Sequence, residues 1–244
     1  SSSASYTASG SPSDLISGAM SSVQALHPSL FAACEKAKAE FASHAERSSE
    51  SDEIHACLLR RFLSVSEVEE CLNAAESCEW RANDEGAWAR NIDEDGEPMP
   101  GLEVCAGLQG FSHDMVFSET HVSLFLHRNG YFQQAAPALC GKLMHGMCTQ
   151  PGMLADTEAA LNVRCIELHS YTSGGGLCTP GHRDTGSKIT MAVMLSDGEE
   201  MSGGEFVTYR EGSPVLHAMT KGDALIFQSE ALHNVAPVLS GMRR

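Results

Sequence analysis

Two potential metal ligands, His182 and Asp184, lie two positions apart in the segment 179-TPGHRDTGSKIT-190. Side chains two positions apart on an extended chain project to the same side, so an imidazole and a carboxylate could meet at one point. A His-x-Asp pair also occurs by chance in many proteins, and taken alone it favours a surface turn that contains a hydrogen-bonded pair. The assignment therefore depends on a third ligand.

The third candidate ligand is His233, 49 residues after Asp184. It follows the apolar run 222-GDALIF-227 and precedes a Val-x-Pro turn, so an antiparallel return could bring it opposite the His-x-Asp pair. Two histidines and one carboxylate on one side of a metal leave positions open, which suits non-haem Fe(II) chemistry with O2. A zinc hydrolase uses the same number of ligands, so ligand type alone leaves the metal undecided.

Arg243 lies ten residues beyond His233, after the turn 237-PVLSG-241. A guanidinium next to the metal would pair bidentately with a carboxylate, such as the distal carboxylate of an α-keto diacid. Zinc-dependent hydrolysis needs no such cosubstrate, so Arg243 favours the oxidative alternative. The bland interpretation is a surface arginine, and Arg244 lies directly beside it.

The order of these residues resembles a known family. His182-x-Asp184, His233 and Arg243, with 233-HNVAPVLSGMR-243 between the last two, are similar to the C-terminal signature of the 2-oxoglutarate/Fe(II)-dependent dioxygenases, in the branch like prolyl 4-hydroxylases. Further landmarks occur in the same order: Tyr171 with Gly174, Gly175 and Gly176, then 194-MLSD-197, 203-GGEF-206 and 221-KGDALIF-227. The resemblance spans residues 118–244, with a weaker likeness over 60–80.

The resemblance implies a mixed α+β, mainly β fold, with a double-stranded β-helix (jelly-roll) core and supporting N-terminal helices. It implies that His182, Asp184 and His233 bind Fe(II), and that 2-oxoglutarate chelates the iron while its distal carboxylate pairs with Arg243. Such enzymes use O2 to hydroxylate a substrate C–H bond and decarboxylate 2-oxoglutarate to succinate and CO2. Ascorbate is a further candidate cofactor on the same ground.

Three more residues are expected near the cosubstrate. The resemblance makes the Tyr171 hydroxyl a second contact. By alternation along 161–171, His169 and Glu167 share the face of Tyr171, so His169 is expected to contact cosubstrate or substrate, although a packed core histidine is an equal alternative. Thr190 is expected to line the pocket, although threonine is common in strands by propensity alone.

Pocket walls in this family must be apolar. Residues with suitable side chains lie on neighbouring predicted strands, and each suits a packed core equally well: Met191, Val193, Leu195 and Phe206.

The pattern along the chain predicts three parts. Residues 1–27 form a Ser-rich segment with few large hydrophobic side chains, which predicts a disordered tail. Residues 28–120 are expected to form helices and loops packed on the core, and 121–244 to form the dioxygenase core. Because the family pattern continues beyond the arginine, we expect that core to be clipped at its C-terminal end.

Periodicity predicts the individual elements. Apolar spacing predicts a helix from Pro28 to about Arg47. The run 54–64 predicts a strand that leads into a helix opening with Ser66 and Glu69 at capping-box spacing. The following region is predicted to contain a loop region at 80–120, a strand at 121–126 and a helix at 131–148, with Pro137 at its start or at a kink. Short β-type runs are predicted at 161–171, 188–196, 203–209, 213–219, 222–228, 232–238 and 241–244. Trp88, an aromatic residue in the long loop, is a hypothetical lid over the site.

Composition argues against a nucleic-acid partner, although it leaves a local basic groove open, and it rules out a transmembrane segment. With 32 acidic against 16 basic residues, the formal net charge of −16 would repel the phosphate backbone of a nucleic acid. No apolar run approaches the ~20 residues of a membrane span.

The nine cysteines are odd in number and form no Cys-x-x-Cys pair, which predicts reduced thiols and a cytoplasmic location. No secretory signal is visible, although an upstream segment is left open because the sequence starts without methionine.

Two alternatives to an active dioxygenase fit the residues less well. An inactive metal-binding jelly-roll module, acting as a sensor or interaction domain, would have no physical need for all four site residues at these spacings. A storage barrel of the cupin type would have more histidines and no counter-ion for a diacid, so Arg243 argues against it. The expected partner is therefore a protein, peptide or small-molecule substrate, with proline as one candidate for the hydroxylated residue.

Overall fold

Helices dominate the N-terminal half of the described chain, and short strands dominate the C-terminal half. The computed structural model describes residues 27–45, 56–85, 114–118, 120–150 and 161–244. The predicted tail up to residue 26, residues 86–113 of the predicted loop region and the hypothetical lid Trp88 lie outside these ranges.

The described elements are four α-helices and twelve strands. The helices are α1 (Phe31–Ala45), α2 (Val65–Glu85), α3 (Tyr131–Ala135) and α4 (Pro137–Cys148). The strands are β1 (Ala56–Leu59), β2 (Asp114–Ser118), β3 (His121–Phe125), β4 (Glu167–Thr172), β5 (Ile189–Val193), β6 (Ser202–Gly203), β7 (Phe206–Arg210), β8 (Ser213–His217), β9 (Ala224–Gln228), β10 (His233–Val235), β11 (Val238–Ser240) and β12 (Met242–Arg243). The expected combination of helices and strands is confirmed.

The capping box of α2 lies two residues earlier than predicted. The Ser64 amide donates to the Glu67 carboxylate at 2.7 Å, and the Glu67 amide donates to the Ser64 hydroxyl at 3.3 Å. These reciprocal bonds satisfy orphan donors at the helix start. The prediction of Ser66 and Glu69 as the box is therefore wrong, because α2 already begins at Val65.

The helix predicted over 131–148 is broken at Ala136, which has φ −138° and ψ 63°. Pro137 is the first residue of α4. Proline lacks an amide hydrogen and is pre-organised for a first helical turn, so it suits the start of a helix better than its interior. Of the two roles predicted for Pro137, the structure shows the start of a new helix.

The strands form antiparallel sheets. We name them by a central strand: the β9 sheet has the order β1-β9-β5, the β7 sheet β10-β7-β8, the β4 sheet β12-β4-β3-β2, and the β6 pair joins β11 to β6. Several predicted runs are longer than the strands they contain. The run 161–171 becomes a strand only at Glu167, and the run 232–238 is divided between β10 and β11.

Side chains from all four of these sheets meet in one apolar cluster, which we call the central cluster. It contains Tyr171, Phe206, Leu225, Phe227, Val235 and Val238. Because each strand sends alternate residues to one side, a cluster that draws on every sheet shows that their inner faces look toward each other. The site described below borders this cluster.

Helices cover the outer faces of the sheets. On β5, Thr190 and Ala192 share one face, whereas Met191 and Val193 share the opposite one. Val193 and Leu195 pack with α2, α3 and α4, and Met191 approaches α4 near Gly146. Val193 and Leu195 therefore belong to the packed core, one of the two roles foreseen for them, and Met191 lies on the same side of β5.

Helix α1 packs on the outer face of the β7 sheet. This helix and Leu30, which directly precedes it, contribute to another apolar cluster, the α1 cluster, of Leu30, Cys34, Val207 and Ala236. None of the helices within the described ranges combines the length and apolar character that crossing a membrane requires. The cysteines that the structure describes are all free thiols.

Candidate metal centre

The three predicted metal ligands lie on two segments that run side by side. The Asp184 amide donates to the Ser229 carbonyl at 2.9 Å, and the His233 amide donates to the His182 carbonyl at 3.2 Å. His182 and Asp184 lie in an irregular segment rather than a strand, and His233 opens β10. The predicted antiparallel return is therefore present, and backbone hydrogen bonds hold it.

The ligand atoms of these residues converge. One atom each from His182, Asp184 and His233 lies within 4.8 Å of the other two. The Nε2 atoms of both histidines are 3.5 Å from Asp184 Oδ1, and the two imidazole rings meet edge to face at 4.7 Å. The donor set of two imidazole nitrogens and one carboxylate oxygen fits a first-row divalent metal such as Fe(II) or Zn(II).

Electrostatics keep the carboxylate ionised. Burial would raise the pKa of Asp184, but hydrogen bonds from His182 and His233 outweigh burial and hold that pKa well below its ordinary value. Thr190 adds a third bond, because its hydroxyl donates to Asp184 Oδ2 at 3.0 Å and lies 2.8 Å from the Ser229 hydroxyl. Thr190 thus lies against the carboxylate, while Oδ1 faces the two histidines.

The ring of His233 is oriented by its neighbours. Its Nδ1 is 3.1 Å from the Ala231 carbonyl, and a carbonyl can only accept, so Nδ1 carries a proton and the ring is held with Nε2 toward Asp184. Phe206 stacks on the ring at 5.6 Å, and Phe227 lies at 4.8 Å. Phe206, foreseen as pocket wall or core, therefore borders the site and belongs to the central cluster.

Arg243 lies at one end of a cross-strand row, on the edge strand β12. It pairs with Tyr171, which pairs in turn with His121 on β3. The guanidinium carbon is 5.6 Å from the centre of the Tyr171 ring, and only 6% of the residue is exposed. Among the described residues, nothing forms a hydrogen bond with its buried Nε, and burial lowers its pKa. A buried cation with a free donor fits the carboxylate of a small ligand.

A polar network continues along the same face of the β4 sheet. His121 Nε2 lies 3.0 Å from His169 Nδ1, and His169 Nε2 lies 3.1 Å from Glu167 Oε2. Strand pairing also places Tyr171 on this face, as the predicted alternation requires. Burial raises the pKa of Tyr171 to about 12, so its hydroxyl keeps its proton near neutral pH.

Sequence reasoning missed His121. It is 6% exposed and stacks on Tyr171 at 4.1 Å. Burial, and then the neighbouring His169, lower the pKa of His121 to about 4, so it is neutral at pH 7. The available signal was the strand 121-HVSLF-125, in which His121 and Ser123 are polar residues on the same face. Only the pairing of this strand with β4, however, places His121 beside Tyr171.

Part of the chain matches curated proteins. It is 42% identical over 69 residues to a PKHD-type hydroxylase of Xylella fastidiosa strain 9a5c, a stretch that covers 26% of this chain and 29% of that protein. A PKHD-type hydroxylase of strain Temecula1 is 43% identical over 60 residues, 23% of this chain and 25% of that protein. The chain thus spans less than a third of the length of these relatives. Their names agree with the resemblance seen in the sequence motifs.

Other comparisons are broader but weaker. No family model matches the chain. An oxidoreductase of the 2OG-Fe(II) oxygenase family from Burkholderia pseudomallei is 13% identical, with a TM-score of 0.48 over 84% of this chain and 85% of that one. A Pseudomonas putida prolyl-4-hydroxylase is 15% identical, with a TM-score of 0.43 over 85% of this chain and 94% of that one.

Proposed function

We propose that this chain is an Fe(II)- and 2-oxoglutarate-dependent dioxygenase that hydroxylates a C–H bond of its substrate. The main supporting observation is a pair of features bordering the same apolar cluster: a His-Asp-His ligand set, and a buried guanidinium whose Nε lacks a partner among the described residues. A zinc hydrolase would account for the first feature, but it would leave the desolvated guanidinium unexplained. The names of the partial relatives support the same activity.

The proposed fold is a double-stranded β-helix formed by residues 121–244, with residues 28–120 packed against it. Antiparallel sheets whose inner faces share the central cluster support this proposal, because a jelly roll encloses its core between two such layers. β1 belongs to the β9 sheet, so the N-terminal part also contributes a strand.

In the proposed site, His182, Asp184 and His233 hold Fe(II). With 2-oxoglutarate and O2, the bound iron supplies the oxidising chemistry: one oxygen atom enters the substrate C–H bond as hydroxyl, and the other enters succinate as 2-oxoglutarate loses CO2. Thr190 and Ser229 orient the ligand carboxylate, and the Ala231 carbonyl orients His233. These contacts hold the side chains of Asp184 and His233 in position for a metal.

The remaining residues bind the cosubstrate and exclude water. Arg243 pairs with the distal carboxylate of 2-oxoglutarate, and the Tyr171 hydroxyl provides a second contact at the same end. His169 is proposed as a further contact for cosubstrate or substrate. Phe206 and Phe227 border the ligands with apolar surface, and a dry wall limits side reactions of reactive species.

The substrate that we propose is a peptidyl group, with proline as the first candidate, or a small molecule. The branch that the motifs resemble supports a peptide, and the net charge of −16 speaks against a nucleic acid. Ascorbate is proposed as a supporting reductant on the same resemblance. We also propose a cytoplasmic location, which the free thiols of the described cysteines support.

Anaerobic titration of the purified protein with Fe(II) and 2-oxoglutarate tests the proposal. The expected result is a visible charge-transfer band that is absent in His182→Ala. In Arg243→Ala, a higher 2-oxoglutarate concentration should be needed to reach half of the maximum band intensity. Exposed Arg244 provides the matched control, and Arg244→Ala should leave the titration unchanged. A folded protein that gives no band would refute the dioxygenase and favour an inactive or zinc-binding module.

A further inference from the structure

Arg183, the residue between two proposed metal ligands, connects three parts of the structure. Its guanidinium forms an ion pair with the Glu40 carboxylate on α1. It also donates to the backbone carbonyl of Glu230, three residues before His233. One side chain therefore ties α1 to both segments that contain the ligands.

Residues 182–184 lie outside the regular strands. Their described backbone bonds to the neighbouring segment are those of His182 and Asp184, and on either side Asn234 donates to the Thr179 carbonyl and the Gly186 amide donates to the Glu230 carboxylate. A segment outside a regular sheet ladder has fewer hydrogen bonds that oppose its displacement, so a side-chain tether contributes more to its geometry. Arg183 is well placed for this role because it is covalently joined to both His182 and Asp184, so a restraint on its side chain also restrains their backbone.

Helix α1 offers a firm anchor for that tether. Leu30 and Cys34 are buried against Val207 and Ala236 in the α1 cluster, on the outer face of the β7 sheet. Glu40 lies further along the same helix, so its position relative to the sheet is set by packing. The side chains of Glu40 and Arg183 are 25% and 32% exposed, which shields their charges better than a fully exposed pair.

A second contact links the same helix to the same turn. Lys36 lies one helical turn before Glu40 and 3.4 Å from its carboxylate. A Cβ on Gly181, which has φ +77°, would come within 3.3 Å of the Lys36 side chain. The helix therefore touches the turn immediately before His182 as well as through Arg183.

We propose that α1 is a positioning element for the metal centre and that Glu40, through Arg183, is a positioning residue. It holds the segment 182–184 against 229–233 so that the three ligand atoms stay within metal-binding distance. This inference rests on the proposed function, because it assumes that His182, Asp184 and His233 bind the metal. It assigns a role in metal affinity to a helix that provides no ligand.

The test measures metal binding directly. Co(II) is titrated into the metal-free full chain, and its visible absorption gives the dissociation constant. Glu40→Gln keeps the size of the side chain and removes its charge, and it should weaken Co(II) binding about 10-fold or more, as loss of outer-shell partners typically does. Glu35→Gln is the control, because Glu35 lies on the same helix and its ion pair within the described residues is with exposed Lys38. The control should bind Co(II) like the parent.

A double-mutant cycle separates positioning from general bracing. If Glu40 acts through Arg183, Arg183→Gln should weaken binding by itself, and Glu40→Gln should add little in the Arg183→Gln background. Circular dichroism and thermal melts of the metal-free variants report folding, and Arg183→Gln provides a second route if Glu40→Gln does not fold.

The outcomes distinguish this inference from the function on which it rests. Unchanged Co(II) affinity in folded Glu40→Gln would overturn the positioning role while the dioxygenase proposal stands. A lower melting temperature with unchanged affinity would also overturn it, because α1 would then be a structural brace only. Failure of the parent protein to bind Co(II) would instead refute the metal centre itself.

Discussion

Replacing Arg243 with methionine is the most informative single change at this site. Methionine keeps an unbranched side chain but removes the charge and all donors. Truncating one partner of a buried, hydrogen-bonded charge pair costs about 2–5 kcal/mol. Since each 1.4 kcal/mol is a tenfold change in affinity, Arg243→Met should weaken 2-oxoglutarate binding by about 30-fold to several thousand-fold.

The stability of the ligand-free protein should change in the opposite sense. Arg243 is 6% exposed, and its Nε has no hydrogen-bond partner among the described residues. Replacing a buried charge with an apolar side chain of similar volume is often neutral or stabilising. We therefore expect the metal- and cosubstrate-free variant to melt at the parent temperature or above it, although its ligand binding is severely impaired.

Two measurements on the same samples check this prediction. Isothermal titration with 2-oxoglutarate, in the presence of Mn(II) as a redox-inert metal, gives the affinity, and denaturant unfolding gives the stability. Arg244→Met is the matched control and should change neither quantity. Affinity retained in Arg243→Met would refute the assignment of Arg243 to the distal carboxylate. A large loss of stability would show instead that the guanidinium has a structural partner.

Three further predictions concern the scaffold. Asp223 is fully buried and accepts four hydrogen bonds, so Asp223→Ala should lower the free energy of unfolding in urea by about 3–5 kcal/mol, and a loss below about 1 kcal/mol would contradict this account. Gly222→Ala should lower the free energy of unfolding by more than about 1 kcal/mol, because the φ of Gly222 is +86° and an added Cβ would overlap the Leu63 carbonyl. Gly141→Ala, in the interior of α4 where an added Cβ meets nothing, should raise the free energy of unfolding by up to about 1 kcal/mol. Similar shifts of the melting temperature in both variants would refute the argument. The hydrogen bond from Lys142 is the main cause that lowers the pKa of Glu67 to about 2 from 4.5, so its ionisation stabilises the fold above pH 4.5 and this contribution is lost as pH falls toward 2. The free energy of unfolding should therefore depend less steeply on pH across that range in Glu67→Gln than in the parent. The same pH dependence in both proteins would show that the Glu67 carboxylate does not contribute.

The convergence of the proposed metal ligands could be predicted because a metal demands rare residue types at particular positions. His182, Asp184 and His233 each follow or precede a turn, and their spacing matches a family pattern. The face of β4 was equally accessible, since strict alternation places Glu167 and His169 with Tyr171. In both cases a local rule was sufficient.

The capping box could not be chosen from local rules. Ser64 with Glu67 and Ser66 with Glu69 have the same spacing, so both satisfy the motif. The structure shows an additional bond that distinguishes them: Lys142, on α4, lies 2.7 Å from both carboxylate oxygens of Glu67. A contact between residues so distant in sequence leaves no periodic trace around either one.

The supporting residues of the site were missed for the same reason. Glu40 and His121 are far from the ligand motif, and nothing in their own neighbourhood marks them. A charged tether needs only one carboxylate at the right place, and many helices present one on their surface. Position relative to Arg183 or Tyr171, which only the fold supplies, distinguishes these residues from their neighbours.

The register of the β4 sheet explains how Arg243 stays available for a ligand. Glu167 lies on the same face and would be an obvious partner, but it is four residues from Tyr171, which pairs with Arg243, and so about 13 Å along the strand. His169 and Cys165 instead bind the Glu167 carboxylate, at 3.1 Å and 2.7 Å. A neutral His121 beside Tyr171 adds no second cation to repel or replace the guanidinium. The network thus satisfies its own carboxylate and leaves the Arg243 charge for an incoming one to neutralise.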